Sequence, residues 1–201
     1  MAFIGTVKPA DSSAEVRTMY ERQQSFYGYV PNYAKVFSHR PEVLARWGRL
    51  LAEIRRPMSD RIFELATFVA AIELKNTACA LAHGQKLSEF MGRESVQSLA
   101  AGDIPKALSK TESVIVEFSR KIARDASTIS SEDVEKLKQQ GISDGEVFDI
   151  VTTVAGRAFL TKILDSLGVE MDNCANDMAE PFRNALTVGR PICAAPVEVI
   201  E

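Results

Sequence analysis

Histidine, cysteine and tryptophan are scarce in this chain, with two, three and one residue among 201. An odd, small number of cysteines excludes a disulfide framework and points to a reducing compartment, so a cytoplasmic location is expected. His39 and His83 are the only histidines. No Cys/His cluster has the spacing of a zinc site, and Asp144-Gly145-Glu146 lacks the further acidic residues of a calcium loop, so no metal is expected. The glycines form neither G-x-G-x-x-G nor G-x-x-x-x-G-K-[ST], which removes the usual phosphate cradles, and no cofactor is expected. A basic excess is missing too. Lys plus Arg number 24 against 27 Asp plus Glu, for a net charge of −3, without the footprint of a nucleic-acid binder. The longest uncharged apolar run, Leu65 to Ile72, is far short of the ~20 residues that span a bilayer. The start, Met1-Ala2-Phe3-Ile4-Gly5, has no basic stretch leading into an apolar core, so no secretory leader is expected. What remains is 46% apolar and 25% charged residues, an ordinary globular balance, in a chain long enough to bury roughly 70% of its unfolded surface.

Helix signals dominate, and strand signals are absent. Ser12-x-x-Glu15 reads as a capping box opening a helix that runs to about Tyr27 and stops at Gly28. Pro31-Asn32 restarts a short turn. Pro41 suits the first position of a helix carrying Val43, Trp47, Leu50, Leu51 and Ile54 on one stripe. Ser59 caps a helix from Asp60 to about Leu74, with Leu65, Phe68, Val69 and Ile72 as its apolar face and Glu64 intruding beside it. The next helix starts near Asn76-Thr77 and ends at Gly92, making an antiparallel hairpin because the Lys75-Asn76 connection is so short. Ser109-x-x-Glu112, Ser130-x-x-Asp133 and Ser143-x-x-Glu146 open three more helices, the last a long one ending at Gly168. The class is all-α. Residues 1–173 form one helical domain, and 174–201, crowded with Pro181, Gly189, Pro191 and Pro196, form an irregular arm. The segment from Ser59 also resembles that from Ser143, 85 residues on. This is read either as coincidence between capped helices or as a duplicated hairpin. In the second case Asn76, Cys79 and His83 would align with Thr161, Leu164 and Gly168.

The chemistry-bearing constellation is Glu64 with Asn76-Thr77-Ala78-Cys79-Ala80-Leu81-Ala82-His83. Cys79 and His83, four residues apart on a helix, share a face. Cys79 falls in the first helical turn, where the dipole favours a thiolate and lowers the thiol pKa, provided water reaches it; burial among alanines opposes this. His83 can take the proton or pair with the thiolate, and Glu64 can orient the imidazole, giving a nucleophile, base and orienting group. The structural alternative is a small packed core cysteine with a satisfied histidine nearby. The basic cluster Arg40, Arg46, Arg49, Arg55 and Arg56 around Trp47 reads as a solvated helix face, or else as a lining that steers an anionic substrate.

The order Glu64, eleven residues, Asn76-x-x-Cys79-x-x-x-His83 resembles the motif of the alkylhydroperoxidase AhpD and carboxymuconolactone decarboxylase family. The peroxidase branch of that family has Cys-x-x-Cys-x-x-x-His. Gly28-Tyr29-Val30-Pro31-Asn32, His39-Arg40-Pro41, Ser143 to Val151 and Asp165-Ser166-Leu167-Gly168-Val169 extend the resemblance over roughly 12–172, towards the family's uncharacterised peroxidase-related branch. It implies an AhpD-like helical bundle with an internal duplication, assembled as a dimer, trimer or hexamer. It also implies Cys79 as the thiol attacking peroxide, with His83 and Glu64 as its proton relay. Asn76 stands where the peroxidase branch has its first cysteine, so a one-cysteine cycle is implied. Cys79 would become a sulfenic acid, then be reduced by an external thiol or a distant one such as Cys174. Cys174 and Cys193 otherwise read as surface thiols in the arm. The alternatives are a carboxymuconolactone decarboxylase-like lyase on a small carboxylated substrate, and a degenerate helical oligomer. The apolar-rich arm, with few evident partners in its own chain, points to a homo-oligomer.

Overall fold

In the computed structural model, which describes residues 2–199, ten α-helices form the fold. Among the described residues the only β features are two isolated bridges, Val30 with Glu198 and Met171 with Ile192. Among the described residues no helix is long and apolar enough to cross a membrane. Helix α1 (Ala14–Tyr27) ends at left-handed Gly28. Its N-cap is Ser13, not Ser12: the Ser13 side chain accepts from Val16 N–H, while Ser12 Oγ donates to the Pro9 carbonyl in a preceding 3₁₀ turn. The adjacent serines compete for one cap, and that turn uses up the first. Short α2 (Asn32–Val36) and α3 (Pro41–Arg55) follow, the latter with proline in its first turn.

The centre of the molecule is α4 (Asp60–Glu73), whose residues from Phe63 to Ala71 are all buried. It packs against α5 (Thr77–Met91), α7 (Lys110–Asp125) and α9 (Asp144–Ser166). A helix apolar on every side has to lie inside such a ring. Ser59 caps it as its sequence requires, and the boxes Ser109/Glu112, Ser130/Asp133 and Ser143/Glu146 cap α7, α8 (Ser131–Lys138) and α9. Between α4 and α5 the chain reverses through Leu74, Lys75 and Asn76, with Lys75 at φ 55° supplying the left-handed step. The likeness between 59–70 and 143–155 covers α4 and the first half of α9. The first helix turns back at Lys75, whereas α9 runs unbroken to Ser166.

Two helices escaped the sequence reading. Helix α6 (Arg93–Ala100) follows α5 directly after Gly92. Helix α10 (Glu180–Leu186) lies in the segment expected to be irregular. That segment has partners within its own chain, so the argument from it to an oligomer fails. Ala175, Phe182 and Leu186 belong to the main core, and Cys193, expected at the surface, is buried. The close approach is written in two glycines. A Cβ on Gly84 of α5 would lie 2.2 Å from Leu186 Cδ2 and 2.9 Å from Phe68 Cε2, and one on Gly189 would lie 1.8 Å from the Lys75 carbonyl oxygen. Gly189 N–H also donates to Thr77 Oγ1 at 2.9 Å. The arm thus clamps the α4–α5 turn. Exposed apolar side chains include Leu50 on α3 and Phe148 and Phe159 on α9, at 55%, 66% and 44%. The stripe assigned to α3 is therefore only partly covered, because α9 meets one side of it.

Candidate active site

Asn76 is the N-cap of α5, its side-chain oxygen accepting from Cys79 N–H at 2.9 Å. Its amide nitrogen donates to Asp165 Oδ1 at 3.0 Å, tying the start of α5 to the end of α9. Asparagine suits this position because its short carbonyl replaces the missing helical acceptor for a first-turn amide. Cys79 is thereby fixed in the first turn, buried at 5% exposure.

One α5 turn on, His83 Nδ1–H donates to Glu64 Oε2 at 2.6 Å. Glu64 sits on the face of α4 towards α5 and is 2% exposed, with Lys86 Nζ 3.9 Å from its other oxygen. Burial on its own would raise this carboxyl. The His83 hydrogen bond and the Lys86 charge outweigh burial and hold it below the usual range. Burial, reinforced by the Arg157 charge, pushes His83 down from 6.5 to about 4 despite Glu64. At neutral pH the pair is therefore a carboxylate and a neutral imidazole protonated on Nδ1, which leaves Nε2 with a free lone pair.

Sequence reasoning missed the fourth member. Arg157 of α9 is 4% exposed, and its Nη1 lies 3.5 Å from Cys79 Sγ. Its guanidinium stacks 5.8 Å from the Trp47 ring, and Trp47 is itself held by a 3.2 Å bond from Nε1–H to the Gly156 carbonyl. Arg157 Nε is buried without a hydrogen-bond partner. A signal was available: Ile150, Val154, Arg157, Thr161 and Leu164 follow the helical period along the buried face of α9, and a cation on such a stripe needs a reason. The expected low thiol pKa is corrected here. Burial pushes the Cys79 thiol up, Arg157 opposes without overcoming it, and Asp165 adds a smaller upward push. His83 is not the protonated neighbour that lowering the pKa required.

Cys79, His83 and Arg157 open onto one cavity of about 230 Å³, walled by Tyr27, Tyr29, Tyr33, Trp47 and Leu160 among others. The tyrosines come from the α1–α2 region, which the sequence reading had not connected to the site. Within the Arg40–Arg56 cluster, Arg46 pairs with Glu42 and Arg56 with Glu53 along the exposed side of α3, whereas Arg55 turns to α4, paired with Asp60 and 5.3 Å from the Phe63 ring. Among the described residues no group of three or more His, Cys, Asp or Glu could hold a metal ion.

The buried neutral His83 makes stability pH-dependent. The unfolded chain binds a proton near 6.5, and the native chain only near 4. Below pH 6.5 the unfolded state therefore gains protons first, and stability falls until about pH 4. At ~1.4 kcal/mol per pH unit this group costs up to about 3 kcal/mol across that window. Urea unfolding of the parent and of His83→Gln at pH 7, 5.5 and 4.5 should show the steeper loss in the parent; parallel losses would refute it.

No family model and no curated protein matches the sequence. Solved structures do match the fold. A peroxidase-related protein from Ralstonia eutropha JMP134, described as an alkylhydroperoxidase AhpD core, superposes with a TM-score of 0.75 at 16% identity, over 94% of this chain and 98% of that one. An uncharacterised peroxidase-related protein from Silicibacter sp. TM1040 gives 0.71 at 18% identity, over 86% and 92%. The debrominase Bmp8, a cysteine-to-alanine variant in complex with 2,3,4-tribromopyrrole, gives 0.68 at 11% identity, over 90% and 94%. The chain therefore has the all-α fold of the alkylhydroperoxidase AhpD core.

Proposed function

We propose that this chain is a thiol-dependent oxidoreductase in which Cys79 reduces a small organic hydroperoxide. The observation that carries this reading is the Arg157 guanidinium 3.5 Å from Cys79 Sγ, in a cavity that His83 also lines. The thiol is neutral at rest. His83 Nε2 takes its proton, and Arg157 balances the thiolate that forms. The sulfur attacks the terminal peroxide oxygen, the O–O bond breaks, and the departing alkoxide recovers the proton from His83. Hydroperoxide and thiol thus become alcohol and sulfenic acid. Glu64 holds the imidazole in the tautomer that this requires and steadies its charged form. The aromatic and aliphatic walls favour an organic substituent over bare hydrogen peroxide. An external thiol closes the cycle.

A second reading is favoured by the ring-lined cavity and the debrominase neighbour. The same thiolate would take bromine from an electron-rich aromatic, leaving a sulfenyl bromide while the ring carbon gains the His83 proton. A lyase on a small carboxylated substrate would not need the sulfur. The experiment is one-turnover product analysis with cumene hydroperoxide and, separately, a brominated pyrrole, for the parent and Cys79→Ser. One equivalent of alcohol per Cys79, lost in Cys79→Ser, is the expected result. Debrominated pyrrole without alcohol selects the second reading, and no Cys79-dependent product from either rejects both.

A further inference from the structure

A sulfenic acid at Cys79 needs a thiol to capture it, and the first turn of α5 has none. Asn76 carries no sulfur, and its side chain is committed to Cys79 N–H and Asp165. Met171 contributes a cavity wall, but a thioether cannot form a disulfide. Behind the same wall lies Cys174. Tyr29 and Asp172 line the cavity, and the Tyr29 hydroxyl is 3.1 Å from Cys174 Sγ. One phenol therefore separates the cavity that holds Cys79 from a second free thiol.

The local architecture suits an approach. Cys174 is exposed, in a five-residue 3₁₀ helix (Asn173–Asp177) that starts directly after the wall residue Asp172. Such a short 3₁₀ segment rises only ~2 Å per residue, so Cys174 stays within one turn of the wall residue Asp172. The residues on either side of the thiol anchor the segment. Ala175 is buried, and Cys193 N–H donates to the Met171 carbonyl at 2.7 Å. Asn173 Nδ2 donates to the Cys193 carbonyl at 3.2 Å. Cys193 is thus the frame that holds this wall, buried and backbone-pinned, while the exposed Cys174 side chain is held by the Tyr29 hydroxyl.

We propose that Cys174 is the resolving thiol for Cys79, with Tyr29 as the door between them. This rests on the peroxidase reading. The Cys174 thiolate attacks the Cys79 sulfenic sulfur, an S–S bond forms, the S–O bond breaks, and the hydroxide leaves as water with one proton. Tyr29 swings out and the 3₁₀ segment leans in, because a disulfide requires Cα atoms within about 7 Å. The oxidation is thereby moved from a buried sulfur to one at the surface, where an external dithiol can reach it and regenerate both thiols.

The test is peptide mass analysis of the full chain after one equivalent of cumene hydroperoxide without reductant, with free thiols then blocked. The expected product is a Cys79–Cys174 linked peptide from monomeric protein. It should persist in Cys193→Ser and vanish in Cys174→Ser, whose Cys79 should instead reach sulfinic acid with excess peroxide. Sulfinic Cys79 in the parent without a link overturns the resolving role and leaves the peroxidase reading standing. So does a link to Cys193, or one found only in covalent dimers. Cys79 untouched by peroxide overturns both.

Discussion

Arg157→Leu should slow the oxidation and alkylation of Cys79 at pH 7 by about 10²-fold, the usual effect of deleting one group aimed at developing charge. The alkylation midpoint should move to higher pH, because burial already pushes the thiol up and the guanidinium is what opposes it. The variant should remain folded. The Arg157 side chain is buried beside Trp47 with Nε unpartnered, and replacing a buried charge by an apolar side chain is often neutral or stabilising. Arg157→Lys, which keeps the charge but loses the stacked plane, should fall between. The measurement is the second-order rate of iodoacetamide labelling of Cys79 against pH, beside a thermal melt. An unchanged rate in a folded Arg157→Leu protein would remove Arg157 from the site.

The second large effect lies far from the chemistry. Phe182→Ala should destabilise the fold by about 3–5 kcal/mol, the range for emptying a fully buried aromatic position. Phe182 is 2% exposed, with the Arg93 guanidinium 5.6 Å from its ring. It stands on α10, which packs over α5 and α6. The loss should also appear at the site, because the arm presses on Gly84 and on the Lys75 carbonyl at the turn leading to Cys79. Chemical unfolding with Cys79 labelling as a second readout checks both. A drop below 1 kcal/mol would mean that the arm rests on the domain without supporting it.

Part of this architecture was legible because its causes are local. A serine cap with an acidic residue three positions on can satisfy its own helix, so the starts of α7, α8 and α9 could be read directly, and Ser59 marked that of α4 by its hydroxyl alone. So could the α4–α5 hairpin, since three residues between two helices allow little but reversal. The pairing of Glu64 with His83 follows from that hairpin. Where two cap candidates stood side by side, at Ser12 and Ser13, local rules could not choose, and the 3₁₀ turn before them did.

The sequence by itself determined the helical class, the helix carrying Cys79 and His83, and the carboxylate that orients the imidazole. Each depends on spacing within a few residues or across one tight turn. Tertiary structure alone decided the rest. It brought Arg157 to the sulfur from 78 residues away in sequence and set Tyr29 between the cavity and Cys174. It also turned a proline-rich arm into core. The protonation states followed the same division: the helix N-terminus that favours a thiolate and the alanines that oppose it are written in the sequence, but which of the two prevails is not. Desolvation is set by every chain segment that closes over a group, and no window of sequence contains them all.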